Sequence, residues 1–172
     1  MSKNLRYLTS QSLTIEVKGF DEIKNLLNFI AEREVERLYL ICWDDKELNT
    51  YKNNYSNKNT KIFFHTKEEF EKKLERGIIS NSIIMFVCLE NNLSKKSNLK
   101  KVICTLENAK KNYIWLTKSP IYRMNVENHN TLKKWKKIFY NEYHIPQNIK
   151  NYKEIMEIES HNKYSSKRGV SI

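Results

Sequence analysis

The sequence predicts an α/β domain with an open, mostly parallel sheet of about five strands and helices on both faces. Three observations support this fold class. Short apolar segments with strand character alternate with amphipathic helical segments through most of the chain. The segment 83–89 is continuously apolar, as in a strand that is covered on both faces. The length of 172 residues, with no internal repeat or dividing linker, is that of a single domain.

The strands are predicted from apolar alternation and from short apolar runs. They are expected at residues 13–17, 38–43, 62–64, 83–89 and 113–116. Because the first strand alternates between apolar and polar side chains, it would also fit an antiparallel edge strand. An α+β domain is therefore the alternative fold. Residues 1–162 are expected to form the domain, and residues 163–172 a basic, flexible tail.

The helices are predicted from the spacing of their apolar residues and from their capping residues. They are expected to begin at Asp21, within 44–59 as a short helix, at Thr66, at about residue 97, at about residue 131 and after Pro146. Thr66 and Glu69 have the spacing of a capping box, and Gly77 is placed to end that helix. Asp21 is expected to act as an N-cap.

The positive charge of the chain lies in its second half. Residues 1–90 carry 14 Lys and Arg against 14 Asp and Glu, whereas residues 91–172 carry 17 against 6, so the net charges are 0 and +11. Codon bias toward Lys and Asn explains part of the Lys content. It does not explain the neutral first half, so the asymmetry points to an acidic partner.

Several classes of protein are excluded by motifs that the sequence lacks. With three glycines it contains neither a dinucleotide-binding nor a P-loop motif, and its His and Cys residues lack zinc-site spacing. We therefore expect no cofactor and no metal. The N-terminal residues lack the apolar segment of a secretory signal, and Cys42, Cys88 and Cys104 lie among apolar neighbours. A cytoplasmic protein with reduced, structural cysteines is expected.

Polar residues follow the predicted strands where open α/β sheets bind ligands. Asp44, Asp45 and Glu90 have the oxygen atoms that Mg²⁺ prefers, and His65 is suited to proton transfer. Capping of strand and helix ends explains the same residue types and is the favoured interpretation. An enzyme acting on phosphate esters is therefore an alternative, and catalysis is not the leading expectation.

The leading function follows from clusters of lysine around two predicted helices. Lys133, Lys134, Lys136 and Lys137 point away from the apolar face formed by Leu132 and Trp135. A second set surrounds the helix expected at 97–111 and comprises Lys95, Lys96, Lys100, Lys101, Lys110 and Lys111. Lysine supplies charge without reading base edges. The leading hypothesis is an accessory protein that binds the phosphate backbone of nucleic acid without strong sequence specificity. Membership of a larger assembly is an additional hypothesis. A module that binds an acidic protein, and a solvated helix face with no partner, are the alternatives.

Overall fold

The computed structural model describes residues 5–33, 35–42, 45–54, 61–77, 82–88, 100–117, 145–146 and 148–171, with backbone alone for Cys88 and 162–171. Six strands lie in one sheet, and every pairing between them is parallel. The strands are β1 Leu13–Glu16, β2 Arg37–Cys42, β3 Ile62–Thr66, β4 Ser82–Cys88, β5 Ile114–Thr117 and β6 Ile149–Asn151. Their spatial order is β3-β2-β4-β5-β1-β6. The predicted open α/β fold is confirmed, with one more strand than expected.

Strand β1 lies inside the sheet, not at an antiparallel edge. It pairs in parallel with β5 on one side, where Leu13 faces Ile114, and with β6 on the other. The alternation of apolar and polar side chains in β1 suggested an edge strand, but the polar residue Thr14 is fully buried. The Thr14 hydroxyl donates to the Pro146 carbonyl at 2.8 Å, so this polar side chain is satisfied without solvent.

Six helices pack against the described sheet in two layers. They are α1 Tyr7–Ser10, α2 Phe20–Ala31, α3 Asp45–Asn54, α4 Lys67–Glu75, α5 Lys100–Asn108 and α6 Tyr152–Ser171. Buried residues of α1, α2, α3 and α6 form one apolar cluster with the first face of the sheet. Buried residues of α4 and α5 form a second cluster on the other face. Helices therefore cover both faces, as the sequence predicts.

The capping box at the start of α4 is present as predicted. The Glu69 N–H donates to the Thr66 hydroxyl at 3.3 Å, and a Glu69 carboxylate oxygen accepts from the Thr66 N–H at 3.1 Å. Gly77 follows the helix with a φ of 98°, which a residue without a Cβ adopts without strain. The prediction that Gly77 ends this helix is confirmed.

The prediction that Asp21 caps α2 is wrong. The N-cap is Gly19, two residues earlier, and Asp21 is an exposed residue of the first turn. The helix begins earlier because Phe20 packs on the first apolar cluster, with its ring centroid 5.4 Å from that of Tyr51. The carboxylate of Glu22 accepts from the Lys18 N–H at 2.8 Å, but this N–H precedes the helix, and the N-cap itself has no side-chain hydrogen bond.

Three helix predictions have different outcomes in the second half of the chain. The predicted helix at 97–111 is seen as α5, whereas the helix expected at 131–142 lies outside the described residues. Helix α6 runs to Ser171, so the backbone of residues 163–171 is helical where the sequence predicts a loose tail. The helix continues through residues 163–171 because this segment contains no proline and its one glycine is near the end, at position 169.

Glu159 joins the two ends of the described chain. Its side chain is 2% exposed, and its carboxylate accepts from the backbone N–H groups of Arg6, Tyr7 and Leu8 at 3.1, 2.7 and 3.3 Å. These N–H groups begin the four-residue helix α1, whose N-cap residue provides no side-chain hydrogen bond. A carboxylate about 150 positions away therefore caps this helix.

Candidate functional site

The carboxyl edge of the sheet contains a topological switch point between β2 and β4. From β2 the chain enters α3 on the first face, and before β5 it passes through α5 on the second face. The two strands are nevertheless neighbours, with Ile41 opposite Phe86. A crevice at such a position is where open α/β sheets bind ligands.

The structure brings together the strands that precede the predicted acidic residues. Asp45 begins α3 directly beyond β2 and is exposed. Asp44 and Glu90 lie outside the described residues, so the proposed set of metal ligands stays a prediction. Within the described ranges, no group of three or more His, Cys, Asp and Glu side chains is arranged to hold a metal ion.

His65 lies near the end of edge strand β3, opposite Ile41 of β2. Its ring stacks with the rings of Tyr39 and Phe63, at centroid distances of 5.8 and 6.4 Å. Its side chain is 16% exposed, and Nδ1 lies 3.7 Å from a Glu69 carboxylate oxygen. That distance suits an ion pair once the ring is protonated, but it is too long for a hydrogen bond.

The surroundings of His65 favour the neutral imidazole. Burial lowers the pKa of His65, and the nearby ammonium groups of Lys73 and Lys52 lower it further, against an opposing effect of Glu69. Neither ring nitrogen has a hydrogen-bond partner in the described part of the chain. A neutral His at the carboxyl edge can accept a proton, as the sequence predicts of this residue type.

A cleft of about 270 Å³ opens at the carboxyl ends of β1 and β6. Its charged lining residues are Glu16, Glu22, Lys18 and Lys153, two of each sign, and Asn151 and Tyr152 complete its polar wall. Sequence reasoning missed this cleft because β6 is three residues long and has no apolar run to indicate it. Its balanced charge does not select a ligand of either sign.

Four of the lysines expected to surround this helix are described, two at each end of α5. Val102, Ile103 and Leu106 are buried in the second apolar cluster. Lys100 and Lys101 at the first turn are exposed, Lys110 beyond the last turn is exposed, and Lys111 is half-buried. The nine-residue helix separates the two lysine pairs by about 13 Å. Lys95, Lys96, Lys133, Lys134, Lys136 and Lys137 lie outside the described residues.

The described tryptophan, Trp115, and the described cysteine side chains, Cys42 and Cys104, are predicted from the sequence to be packing residues. Trp115 is 1% exposed inside the second cluster, as expected of a packing residue and not of a base-stacking platform. Cys42 is buried, in agreement with the predicted structural role, while Cys104 is partly exposed. Among the described residues, no helix is both long enough and apolar enough to cross a bilayer.

Searches against protein-family models, curated proteins and solved structures found no significant match to this chain.

Proposed function

We propose that this protein is a nucleic-acid-associated accessory protein that binds the phosphate backbone without strong sequence specificity. The observation that carries the proposal is the division of charge, 0 in residues 1–90 and +11 in residues 91–172. A basic half on an otherwise neutral chain is the electrostatic property expected of a nucleic-acid-binding surface.

The lysine pairs of α5 support the proposal. They are displayed at both ends of a helix whose other face is buried, so contact with a polyanion would not disturb the core. Glu107 is the acidic residue within α5, and its carboxylate accepts a hydrogen bond from the Tyr113 hydroxyl at 3.3 Å. The lysines at 133, 134, 136 and 137 belong to the proposal from the sequence alone, since they lie outside the described residues.

The proposal is tested by the salt dependence of binding to single-stranded and duplex DNA and RNA. If Lys133, Lys134, Lys136 and Lys137 neutralise about four phosphates, the slope of log K against log salt has a contribution of about −3 to −4 from them. Changing all four to Gln should flatten the slope by that amount and weaken every sequence equally.

A matched control removes four exposed lysines from the neutral half, namely Lys24, Lys46, Lys52 and Lys72. This variant loses the same charge and should keep the slope of the parent. If the first variant is folded and binds as the parent does, the proposal is wrong. A pull-down with parent and variant then tests the acidic protein partner.

The switch point favours a second candidate, a metal-dependent enzyme acting on phosphate esters. Adjacent β2 and β4 precede Asp44, Asp45 and Glu90, and β3 with His65 is the next strand. Hydrolysis of nucleotides or nucleic acid that requires added Mg²⁺ or Mn²⁺, and that Asp45→Asn and His65→Gln reduce, would support it. Metal-independent or absent hydrolysis would contradict it.

A further inference from the structure

A second cleft, of about 220 Å³, opens at the opposite edge of the sheet, where β4 and β5 begin. Its floor is made of aliphatic side chains from α1, β4 and β5. Its rim carries the polar residues Thr9, Ser82, Lys110, Lys111 and Asn112. The volume is several times the ~30 Å³ share of one liquid water, so a phosphate group with part of a sugar can enter.

The charged residues of this lining are all positive. Lys110 and Lys111 are the only charged side chains among the described residues that line the cleft. The Asn112 amide donates one N–H to the Thr9 carbonyl at 3.0 Å, which fixes the rim and leaves its second N–H for a ligand. Such a lining suits an anion that accepts hydrogen bonds.

The backbone holds the two lysines in a defined turn. The Lys110 N–H donates to the Glu107 carbonyl at 2.9 Å and the Lys111 N–H to the Leu106 carbonyl at 2.8 Å, the pair of bonds of a Schellman motif. Lys110 adopts a φ of 56° at the position where Gly is preferred. Keeping a lysine there costs about 1 kcal/mol of backbone strain.

We propose that this cleft binds the terminal phosphate monoester of a nucleic-acid strand, an inference that depends on the proposed function. A monoester carries a charge of about −1.5 to −2 at pH 7, which matches two lysines, whereas an internal diester carries −1. The cleft ends on buried residues of β4 and β5, so a strand end enters it and a continuous backbone does not. The lysines at the start of α5 then contact internal phosphates of the same strand.

The experiment compares one single-stranded oligonucleotide with a 5′-phosphate, with a 3′-phosphate and with hydroxyls at both ends. Fluorescence anisotropy at one salt concentration gives each affinity for the parent and for Lys110→Gln/Lys111→Gln. The parent should prefer one phosphorylated end about tenfold, and the double variant should lose that preference. The matched control, Lys100→Gln/Lys101→Gln, should weaken all three equally and keep the preference.

Lys110→Gly separates ligand binding from folding. Glycine adopts a φ of 56° without strain, so this variant should melt no lower than the parent. It should nevertheless lose most of the preference for the phosphorylated end. A lysine with only a structural role would instead give a lower melting temperature in this variant and no selective loss of binding.

The outcomes separate this inference from the proposed function. Equal affinity of the parent for all three oligonucleotides overturns the cleft assignment and leaves backbone binding intact. If no oligonucleotide binds, the proposed function is wrong, and the cleft is measured with a nucleoside monophosphate. Binding of that probe by the parent and not by Lys110→Gln/Lys111→Gln supports a phosphate site, and its absence overturns the assignment.

Discussion

The protonation state of the His65 side chain affects the stability of the fold. Its ring is covered by Tyr39 and Phe63, and the charged groups that face it are Glu69 and Lys73 of α4 and Lys52 of α3. Burial and the two lysines outweigh the carboxylate, so the folded protein binds this proton less readily than the unfolded chain. Protonation therefore favours unfolding.

We predict that the free energy of unfolding falls as the pH drops below about 6.5, the ordinary pKa of His, until the lowered pKa of the folded state is reached. His65→Gln should flatten the decrease in this range, because it removes the titrating ring. Urea denaturation between pH 8 and pH 5 measures the difference. Parallel curves for parent and variant would refute the prediction.

Glu69→Gln provides the comparison at lower pH. The hydrogen bond from the Thr66 N–H is the largest influence on Glu69 and lowers its pKa below the ordinary 4.5. Its stabilising effect is therefore present above that value and is lost as the pH falls through the lowered pKa. Glu69→Gln should remove this lower part of the pH profile, and because the Glu69 carboxylate raises the pKa of His65, it should also lower that pKa further.

At the scale of elements, the carboxylate of Glu159 connects α6 to α1. The three N–H groups that it accepts from are those that a four-residue helix cannot satisfy internally. We predict that Glu159→Ala lowers the free energy of unfolding by about 2–4 kcal/mol, because it leaves partly buried donors without an acceptor. Glu159→Gln should cost less, since its amide retains one acceptor oxygen. Urea denaturation measures both.

The control for this prediction is Glu157→Gln on the same helix. The Glu157 side chain is 73% exposed and lies 3.6 Å from His161. An exposed pair of this kind changes stability by less than about 0.5 kcal/mol. Equal losses for Glu157→Gln and Glu159→Ala would mean that the contact with α1 adds nothing.

At the scale of the whole molecule, stability depends on strand β4 between the two apolar clusters. Ile84 and Phe86 of β4, Leu40 of β2 and Ile114 of β5 are all buried, as the sequence predicts, while the side chain of Cys88, expected to be buried with them, is not among those described. Phe86 packs against Phe70, Tyr113 and Trp115, at centroid distances of 6.1, 6.1 and 5.8 Å. This side chain therefore joins α4 to the middle of the sheet.

We predict that Phe86→Ala costs about 3–5 kcal/mol, a large part of the 5–15 kcal/mol that stabilises a typical domain. Phe86 is 0% exposed, so the substitution would leave a cavity inside the core. Neighbouring groups could not fill this cavity without breaking their own contacts. Phe64→Ala should cost less, because Phe64 is partly buried on edge strand β3. A melting temperature of Phe86→Ala equal to that of the parent would contradict the central position of β4.

Local signals in the sequence were sufficient for most of the elements. The apolar run of β4 indicates burial on both faces, and Thr66, Glu69 and Gly77 indicate where α4 begins and ends, because caps act within one turn of a helix. The buried face of α5, formed by Val102, Ile103 and Leu106, follows from helical periodicity for the same reason. These features depend on residues that are close in the chain, so the sequence alone determines them.

Features that depend on distant contacts were decided only by the tertiary structure. From the sequence, Thr14 is expected to face solvent, but in the structure its hydroxyl is buried and donates to the Pro146 carbonyl. Glu159 is likewise expected to be a surface carboxylate, but it accepts from three N–H groups at the start of α1. Strand β6 exists because β1 offers it a hydrogen-bonding edge, not because its own three residues favour a strand. The cleft at Lys110 and Lys111 likewise needs Thr9 and Ser82, which only the folded chain brings to the same edge of the sheet.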